Sequence, residues 1–223
     1  MATMAYCRDG EMSFRQAISA ASFTEIEAFN LVSKGRGLYV PKLQVGKTYL
    51  SGIQTAFDVT ATVSQNEIRL GRLLVPGSAI IDRFRFENTS ANPSSLTRVL
   101  LYGSNDFGFP SALIFDSGDI VTSAAGMKTV SGLSIAVVRG IYWIGLKARG
   151  NGCTYNSYSQ FGVPEYFFTH RDDIVLASST PAMAYNNGDV AAPNPFPAEG
   201  PTAADSSIAS FAMKVEVRYS AVG

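Results

Sequence analysis

The residues suited to nucleophilic, acid–base or metal chemistry are few in this sequence. His170 is the only histidine, and the two cysteines, Cys7 and Cys153, form no CxxC pair. A histidine-based metal site needs several further ligands, and nothing else in the sequence supports a Cys153–His170 thiolate pair. The sequence contains no GxSxG elbow, P-loop or Rossmann fingerprint. We therefore expect no enzymatic activity, no metal and no cofactor.

Three aspartates in predicted loops supply the oxygen ligands that Ca²⁺ prefers in proteins. Asp106, Asp116 and Asp119 lie close in sequence to Asn105 and Ser117. The same residue types also fill turns because their side chains bond to their own backbone. Of these two alternatives we favour the turn role.

Asp82 stands out because its neighbours on a predicted strand are apolar. It falls in register with Ile80, Phe84 and Phe86, which would direct its carboxylate inward. A buried carboxylate must be hydrogen-bonded or paired. Arg98 and backbone amides are the candidate partners, and a structural role is expected.

Aromatic residues are concentrated between residues 155 and 168. Aromatic rings bind sugars by stacking, and tyrosines are also enriched at subunit interfaces. Tyr155, Tyr158 and Tyr166 are therefore the candidates for contact with a glycan or with another subunit. We favour a place in a β-sandwich core or a subunit interface over contact with a glycan.

Composition limits the classes of partner. Of 223 residues, 46% are hydrophobic and 16% are charged, whereas an ordinary soluble domain has about 25% charged residues. Lys+Arg and Asp+Glu are equal at 18 each, so the surplus of positive charge that marks a nucleic-acid surface is missing. A net charge near zero favours self-association. No signal peptide and no apolar stretch of membrane-spanning length are recognisable.

The elements that would position these residues are short strands. From residue 30 onward, period-two segments alternate with Gly and Pro turns, which is typical of a sandwich or jelly roll. Strands are clearest at 68–75, 141–146 and 211–220. The last of these places five apolar residues on one face: Phe211, Met213, Val215, Val217 and Tyr219. We predict an all-β, jelly-roll-like antiparallel β-sandwich over residues 30–223.

Two segments differ from this pattern. Residues 1–29 form either an ordinary N-terminal element packed on the domain or a docking arm that orders on a partner, and we adopt the docking arm. Residues 178–207 contain five prolines, which predicts a long loop without a regular ladder. Both segments are predicted to make contacts between subunits, because extended segments that order on binding can wrap large surfaces.

Residues 36–148 carry an ordered set of motifs. They read Gly-Leu-Tyr-Val-Pro at 37–41, a strand running into Pro76 at 68–76, Ile-Asp-Arg-Phe at 81–84, Arg-Val-Leu-Leu-Tyr at 98–102, Gly-Phe-Pro at 108–110, Leu-Ile-Phe-Asp-Ser-Gly at 113–118, Gly-Met-Lys-Thr-Val at 126–130 and Gly-Ile-Tyr-Trp-Ile-Gly-Leu at 140–146. The set resembles the jelly-roll module of tailed-bacteriophage fibre and minor virion structural proteins. The chain departs from long fibre proteins because it has no shaft, and the loop at 178–207 has no counterpart in the module.

The resemblance implies a non-enzymatic virion component that usually assembles as a homotrimer. The two cysteines and the lack of a recognisable signal peptide lead us to expect that it is made in the host cytoplasm. The implied partners are copies of itself and phage capsid, neck or tail proteins, with no nucleic acid among them. The role is fibre-type or capsid or tail decoration. The alternative function is a receptor-binding or carbohydrate-binding module for a host surface glycan.

Overall fold

A computed structural model describes residues 43–50, 58–106, 109–159, 182–186, 188, 191–196, 206–209 and 211–222. Within these ranges the chain forms strands and turns and contains no helix. All of the strands belong to one compact unit, Gln44–Gly223. The all-β prediction is therefore confirmed. The predicted docking arm, residues 1–29, lies outside the described residues.

Fourteen described strands form two antiparallel seven-stranded sheets. The first sheet contains β1 (Thr48–Leu50), β2 (Asp58–Val63), β4 (Ala79–Asn88), β8 (Gly126–Val137), β10 (Cys153–Ser159), β13 (Phe211–Met213) and β14 (Glu216–Val222). The second contains β3 (Glu67–Val75), β5 (Ser95–Ser104), β6 (Pro110–Asp116), β7 (Ile120–Val121), β9 (Gly140–Gly150), β11 (Ala182–Asn186) and β12 (Ser206–Ala209). From β2 to β5 the chain alternates between the two sheets, so each of these four strands lies in a different layer from the one before it.

The two sheets pack face to face as a β-sandwich, as predicted. Alternate apolar side chains of the long strands are fully buried, among them Phe84, Phe86, Val99, Leu101, Ile144, Leu146 and Val217. The rings of Phe84 and Phe115, one from each sheet, lie 5.5 Å apart. Burying each such side chain contributes about 1.5–3 kcal/mol, so this layer supplies most of the driving force for folding.

In the strand that contains Asp82, the alternation of buried and half-buried side chains shifts by one residue in the middle. The predicted alignment of Asp82 with Phe84 and Phe86 is therefore wrong. Its partner β8 shows a register shift between the pairs of Ile81 and Arg83. Ile81 and Phe84 are therefore both buried although they are three residues apart, and Ile80 and Asp82 are only half-buried. A β-bulge of this kind moves every later side chain to the opposite face. Asp82 consequently does not share the face of Phe84.

The C-terminal strand shows the predicted alternation. Met213, Val215, Val217 and Tyr219 are buried, and the intervening Lys214, Glu216 and Arg218 are half-buried. The strand is interrupted after Met213, so β13 pairs with β10 whereas β14 pairs with β4. The buried face is nevertheless continuous.

The segment 178–207 is not a loop throughout, and this part of the prediction is wrong. Residues Ala182–Asn186 form β11, which pairs with β3 from Ala182↔Gly71 to Asn186↔Glu67. On its other side β11 pairs with β12, whose first residues also fall in the segment. The sequence has no proline between Ala182 and Ala192, so nothing prevents a ladder here.

Candidate functional site

The three candidate tyrosines do not form one surface. Tyr155 is fully buried between the sheets, and its Oη lies 2.6 Å from Thr97 Oγ1. Burial raises the pKa of Tyr155 well above its ordinary value. A ring in this position cannot stack on a sugar or reach another subunit, so Tyr155 belongs to the core. Tyr158 lies in β10, where its backbone pairs with Asp58 and Ala212, and only its backbone is described. Tyr166 lies outside the described residues.

Tyr155 is part of a buried polar network that links the sheets. Thr122 Oγ1 lies 2.8 Å from Ser95 Oγ and 3.1 Å from Thr97 Oγ1. Asn88 Nδ2 donates to the carbonyl oxygen of Thr122 at 2.7 Å. Buried polar groups are tolerated when they satisfy one another. These hydrogen bonds connect β5 of the second sheet to β10 and β4 of the first, through Thr122.

Cys153 belongs to the same network. Its thiol is 1% exposed and lies 2.7 Å from Ser95 Oγ. A reactive cysteine needs an accessible, electropositive environment that stabilises the thiolate, whereas this thiol is buried against a neutral hydroxyl. His170, its possible catalytic partner, lies outside the described residues. The described surroundings are those of a structural cysteine.

The loop aspartates considered for calcium bind arginines. Arg98 Nε donates to Asp119 Oδ1 at 2.6 Å, and Arg98 Nη1 donates to Asp116 Oδ2 at 3.0 Å. Arg149 Nη1 also donates to Asp119, at 2.8 Å to Oδ2. The hydrogen bond from Arg98 is the main reason why the pKa of Asp119 lies below its ordinary value. Asp106 is exposed in the loop after β5 and is not part of this ion-pair network.

The turn role predicted for these residues is supported by backbone bonds. The amide of Gly118 donates to Asp116 Oδ1 at 2.9 Å, and the amide of Phe109 donates to Asn105 Oδ1 at 2.9 Å. Ser117 Oγ accepts from the amide of Val99 at 2.9 Å. Across the described ranges, no cluster of three acidic, His or Cys side chains is arranged to hold a metal ion.

Asp82 is paired, but its partner is not Arg98. Arg218 donates to both carboxylate oxygens, through Nε at 2.8 Å and through Nη2 at 2.6 Å. This hydrogen bonding is the largest reason why the pKa of Asp82 lies below its ordinary value. The pair joins β4 to β14, so the role of Asp82 is structural, as expected.

Residues 191–196, which we call the strap, cover part of the outer face of the second sheet. Phe196 and Ala192 pack on a buried cluster that includes Trp143 and Tyr102. Tyr102 Oη donates to the carbonyl of Pro193 at 3.1 Å. The rings of Tyr102 and Phe196 lie 5.2 Å apart.

The strap corrects part of the predicted inter-subunit surface. Phe196 is 1% exposed within its own chain, so it is not available to another subunit. The sequence did contain a signal for this arrangement. Residues 141–146 are apolar at every position apart from Gly145, and a strand apolar on both faces indicates a sheet that is covered on both sides.

The surface that sequence analysis missed is the edge strand β8. This strand runs over 12 residues, from Gly126 to Val137. Among the described strands it pairs with β4 alone. Met127 is 48% exposed, and several of the remaining apolar side chains are only half-buried.

The chain as described contains no helix that is long and apolar enough to cross a membrane.

Comparison with known proteins finds only distant structural neighbours. No family model matches the chain, and no curated protein matches its sequence. A solved clostridial cysteine protease, after propeptide cleavage, aligns at a TM-score of 0.42 with 10% identity, over 72% of this chain and 40% of that one. Infectious bursal disease virus (Gt strain) aligns at 0.27 with 5% identity, over 50% of this chain and 30% of that one. The chain thus spans less than half the length of either protein, and with both TM-scores below 0.5 neither likeness bears on what this chain does.

Proposed function

We propose that this chain is a non-enzymatic structural component of a bacteriophage particle. It assembles as a homotrimer on the virion surface, as a fibre-type component or as a decoration of the capsid or tail. Its partners are copies of itself and the capsid, neck or tail proteins on which its N-terminal arm docks. The ordered motifs between residues 36 and 148 carry the proposal.

One contact in the structure supports reading these motifs as a single module. The motif at 98–102 begins with Arg98, and the motif at 113–118 contains Asp116, and these two side chains form an ion pair at 3.0 Å. The amide of Ser117 also donates to the carbonyl of Val99 at 3.0 Å. Two motifs identified separately in the sequence therefore contact each other, as expected for parts of one module.

The chemistry of the described residues suits a scaffold. The candidate ligands Asp116 and Asp119 are bound to arginines, and Cys153 and Tyr155 stabilise the core. A net charge of zero and a charged share of 16% favour association with other subunits. A stable interface buries on the order of 1,600 Å² in total, an area that extended arms can supply.

The first test is the solution mass of the purified full chain, measured by light scattering at several concentrations. We expect three copies of the 23.8 kDa chain, or a multiple of three, at all but the lowest concentrations. A chain that remains monomeric throughout would overturn the homotrimer and would favour the alternative, a glycan-binding module.

The second test asks whether the chain is part of a particle. Phage particles from a culture that carries this gene are purified on a density gradient and analysed by mass spectrometry. Peptides of the chain should band with the particles at a constant ratio to the major capsid protein. Recovery only in the soluble fraction would overturn the virion assignment.

A further inference from the structure

The free edge of β8 is the longest described strand edge with an apolar character. The strand has 12 residues and, among the described strands, only β4 pairs with it. Within the described ranges no strand lies along its other side, so the backbone N–H and C=O groups there offer a template for an additional strand. Lys128 is the only charged residue in the strand.

Side chains directed toward the sandwich interior are incompletely covered along this edge. Val130, Leu133 and Ile135 are half-buried, whereas the β4 residues Phe84 and Ile81, which pair with Val130 and Ile135, are 0% exposed. An additional strand would extend the sheet and cover these three side chains. Burial of such apolar surface favours association.

The pattern of exposure along β8 is a palindrome. Inward positions are Gly126, Lys128 and Val130 in the first half, and Leu133, Ile135 and Val137 in the second half. The outward residues Ser131 and Gly132 are adjacent at the centre, and both are exposed. The phase changes there because the β4–β8 ladder is irregular and Gly132 adopts a φ of 74°. The two halves of the strand therefore have the same order of inward and outward positions when one of them is read backwards.

We propose that this edge binds the same edge of a second copy of the chain, antiparallel, about a two-fold axis between Ser131 and Gly132. An isologous contact requires a self-complementary patch, and the palindrome provides one. Val130 of one copy lies opposite Leu133 of the other, and Lys128 lies opposite Ile135. Every inward residue then faces an inward residue, and the two sheets continue as one.

The same pattern disfavours a register that is displaced by one residue. A slip of one residue would place inward side chains opposite outward ones. In the proposed register each Lys128 lies opposite an apolar residue, so the two charges are kept apart. The contact is closed by its two-fold symmetry and cannot add further copies. It is additional to the three-fold assembly proposed above and does not depend on it.

The register is tested by cysteine cross-linking in the full chain with Cys7→Ser. Thr129 and Ser134 both point outward and are exposed, and the pairing places them opposite each other in two copies. Cα atoms of opposite residues lie about 4.5–5.5 Å apart, within the range of a disulfide. Within one chain the two positions are separated by five steps of about 3.3 Å each, which is too far for a disulfide.

The double variant Thr129→Cys/Ser134→Cys should form a covalent dimer under mild oxidation, seen on a non-reducing gel and lost on reduction. The matched control is Thr129→Cys/Ala136→Cys, which is displaced by two residues from the proposed register and should cross-link at least tenfold more slowly. Absence of the covalent dimer, or equal rates in both variants, would overturn the pairing.

Light scattering of the Leu133→Lys variant tests the two-fold contact independently of the proposed trimer. An inward-pointing charge is a device by which natural edge strands avoid pairing, and circular dichroism verifies that the variant is folded. The two-fold contact predicts that the mass falls by half, from six copies to three if the trimer exists and from two to one if it does not. A folded variant with the wild-type mass would contradict the two-fold contact.

Discussion

At the scale of single residues, ionisable side chains in this protein are used to join strands. Asp82 and Arg218 connect β4 to β14 through two hydrogen bonds. Arg98 and Arg149 hold Asp119 beside the second sheet. Each of these pairs is partly exposed, so its net contribution is small by the standard of buried groups. Their effect should be most visible in how stability depends on pH.

For Asp82, we expect the free energy of unfolding to depend on pH through its carboxyl group. The pKa of Asp82 in the folded protein lies below its ordinary value of 3.8, chiefly because Arg218 donates to it. The unfolded chain therefore takes up a proton first as the pH falls, and the stabilisation present above pH 3.8 is lost as the pH falls through the folded pKa. Asp82→Asn should be less stable at pH 7 and should lose less stability under acid.

Urea unfolding between neutral pH and pH 2 measures this dependence. Asp106→Asn is the matched control, because Asp106 is exposed in a loop and its replacement should leave the pH profile unchanged. If Asp82→Asn and the wild type show the same pH profile, the Arg218 pair does not act as described.

A second prediction at this scale concerns two glycines in neighbouring strands. A Cβ atom on Gly145 would meet the carbonyl group of Arg69, with the carbonyl carbon 2.7 Å away, whereas a Cβ on Gly103 would find its nearest atom at 3.6 Å. Gly145→Ala should therefore destabilise the protein by about 3 kcal/mol or more. Gly103→Ala should change stability by less than about 1 kcal/mol.

Thermal and urea unfolding of the two variants provide the measurement. Gly145 lies at a position where β3 approaches β9 closely. A stable Gly145→Ala variant would mean that the two strands lie farther apart than described.

At the scale of elements, the strap buries part of the outer face of the second sheet, over β3, β5 and β9. Sheets of a sandwich usually expose their outer faces, but here the outer face carries Trp143, Tyr102 and Leu100, all at most 2% exposed. The strap is held by backbone bonds as well as by packing, since the amide of Phe196 donates to the carbonyl of Ser111 at 2.8 Å. Phe196 is the residue on which this attachment most depends.

Phe196→Ala should remove the main apolar contact of the strap. Loss of a fully buried Phe side chain costs about 3–5 kcal/mol. Trp143 is the only tryptophan and belongs to the same cluster, so its fluorescence should shift to longer wavelength as water reaches it. Val121→Ala is the control, because Val121 is 62% exposed and should change neither property. An unchanged emission spectrum in Phe196→Ala would contradict the described packing.

At the scale of the whole molecule, the described surface carries ion pairs on one face and few charges along one edge. The outer face of the first sheet carries the ion pairs Arg85–Glu216 and Arg218–Asp82. The edge formed by β8 has a single charged residue, Lys128. Because positive and negative residues also balance over the chain, electrostatic repulsion between copies is weak. Association is expected to be controlled by apolar contact.

This balance predicts a minimum of solubility close to pH 6.6, the isoelectric point of the sequence. Net charge keeps protein molecules apart, so solubility should rise on either side of that pH. Precipitation by polyethylene glycol, measured from pH 5 to pH 9, provides the test. A profile that does not vary with pH would mean that net charge does not control association.

The sequence by itself determined the all-β class and the buried face of the C-terminal strand. Both follow from local patterns, because side chains of a strand alternate between its faces and glycine or proline ends it. Only the tertiary structure decided that Tyr155 points into the core, that Arg218 rather than Arg98 pairs with Asp82, and that Phe196 covers the second sheet. Each of these depends on which distant segments meet, and a bulge of one or two residues is enough to change the face on which a side chain lies.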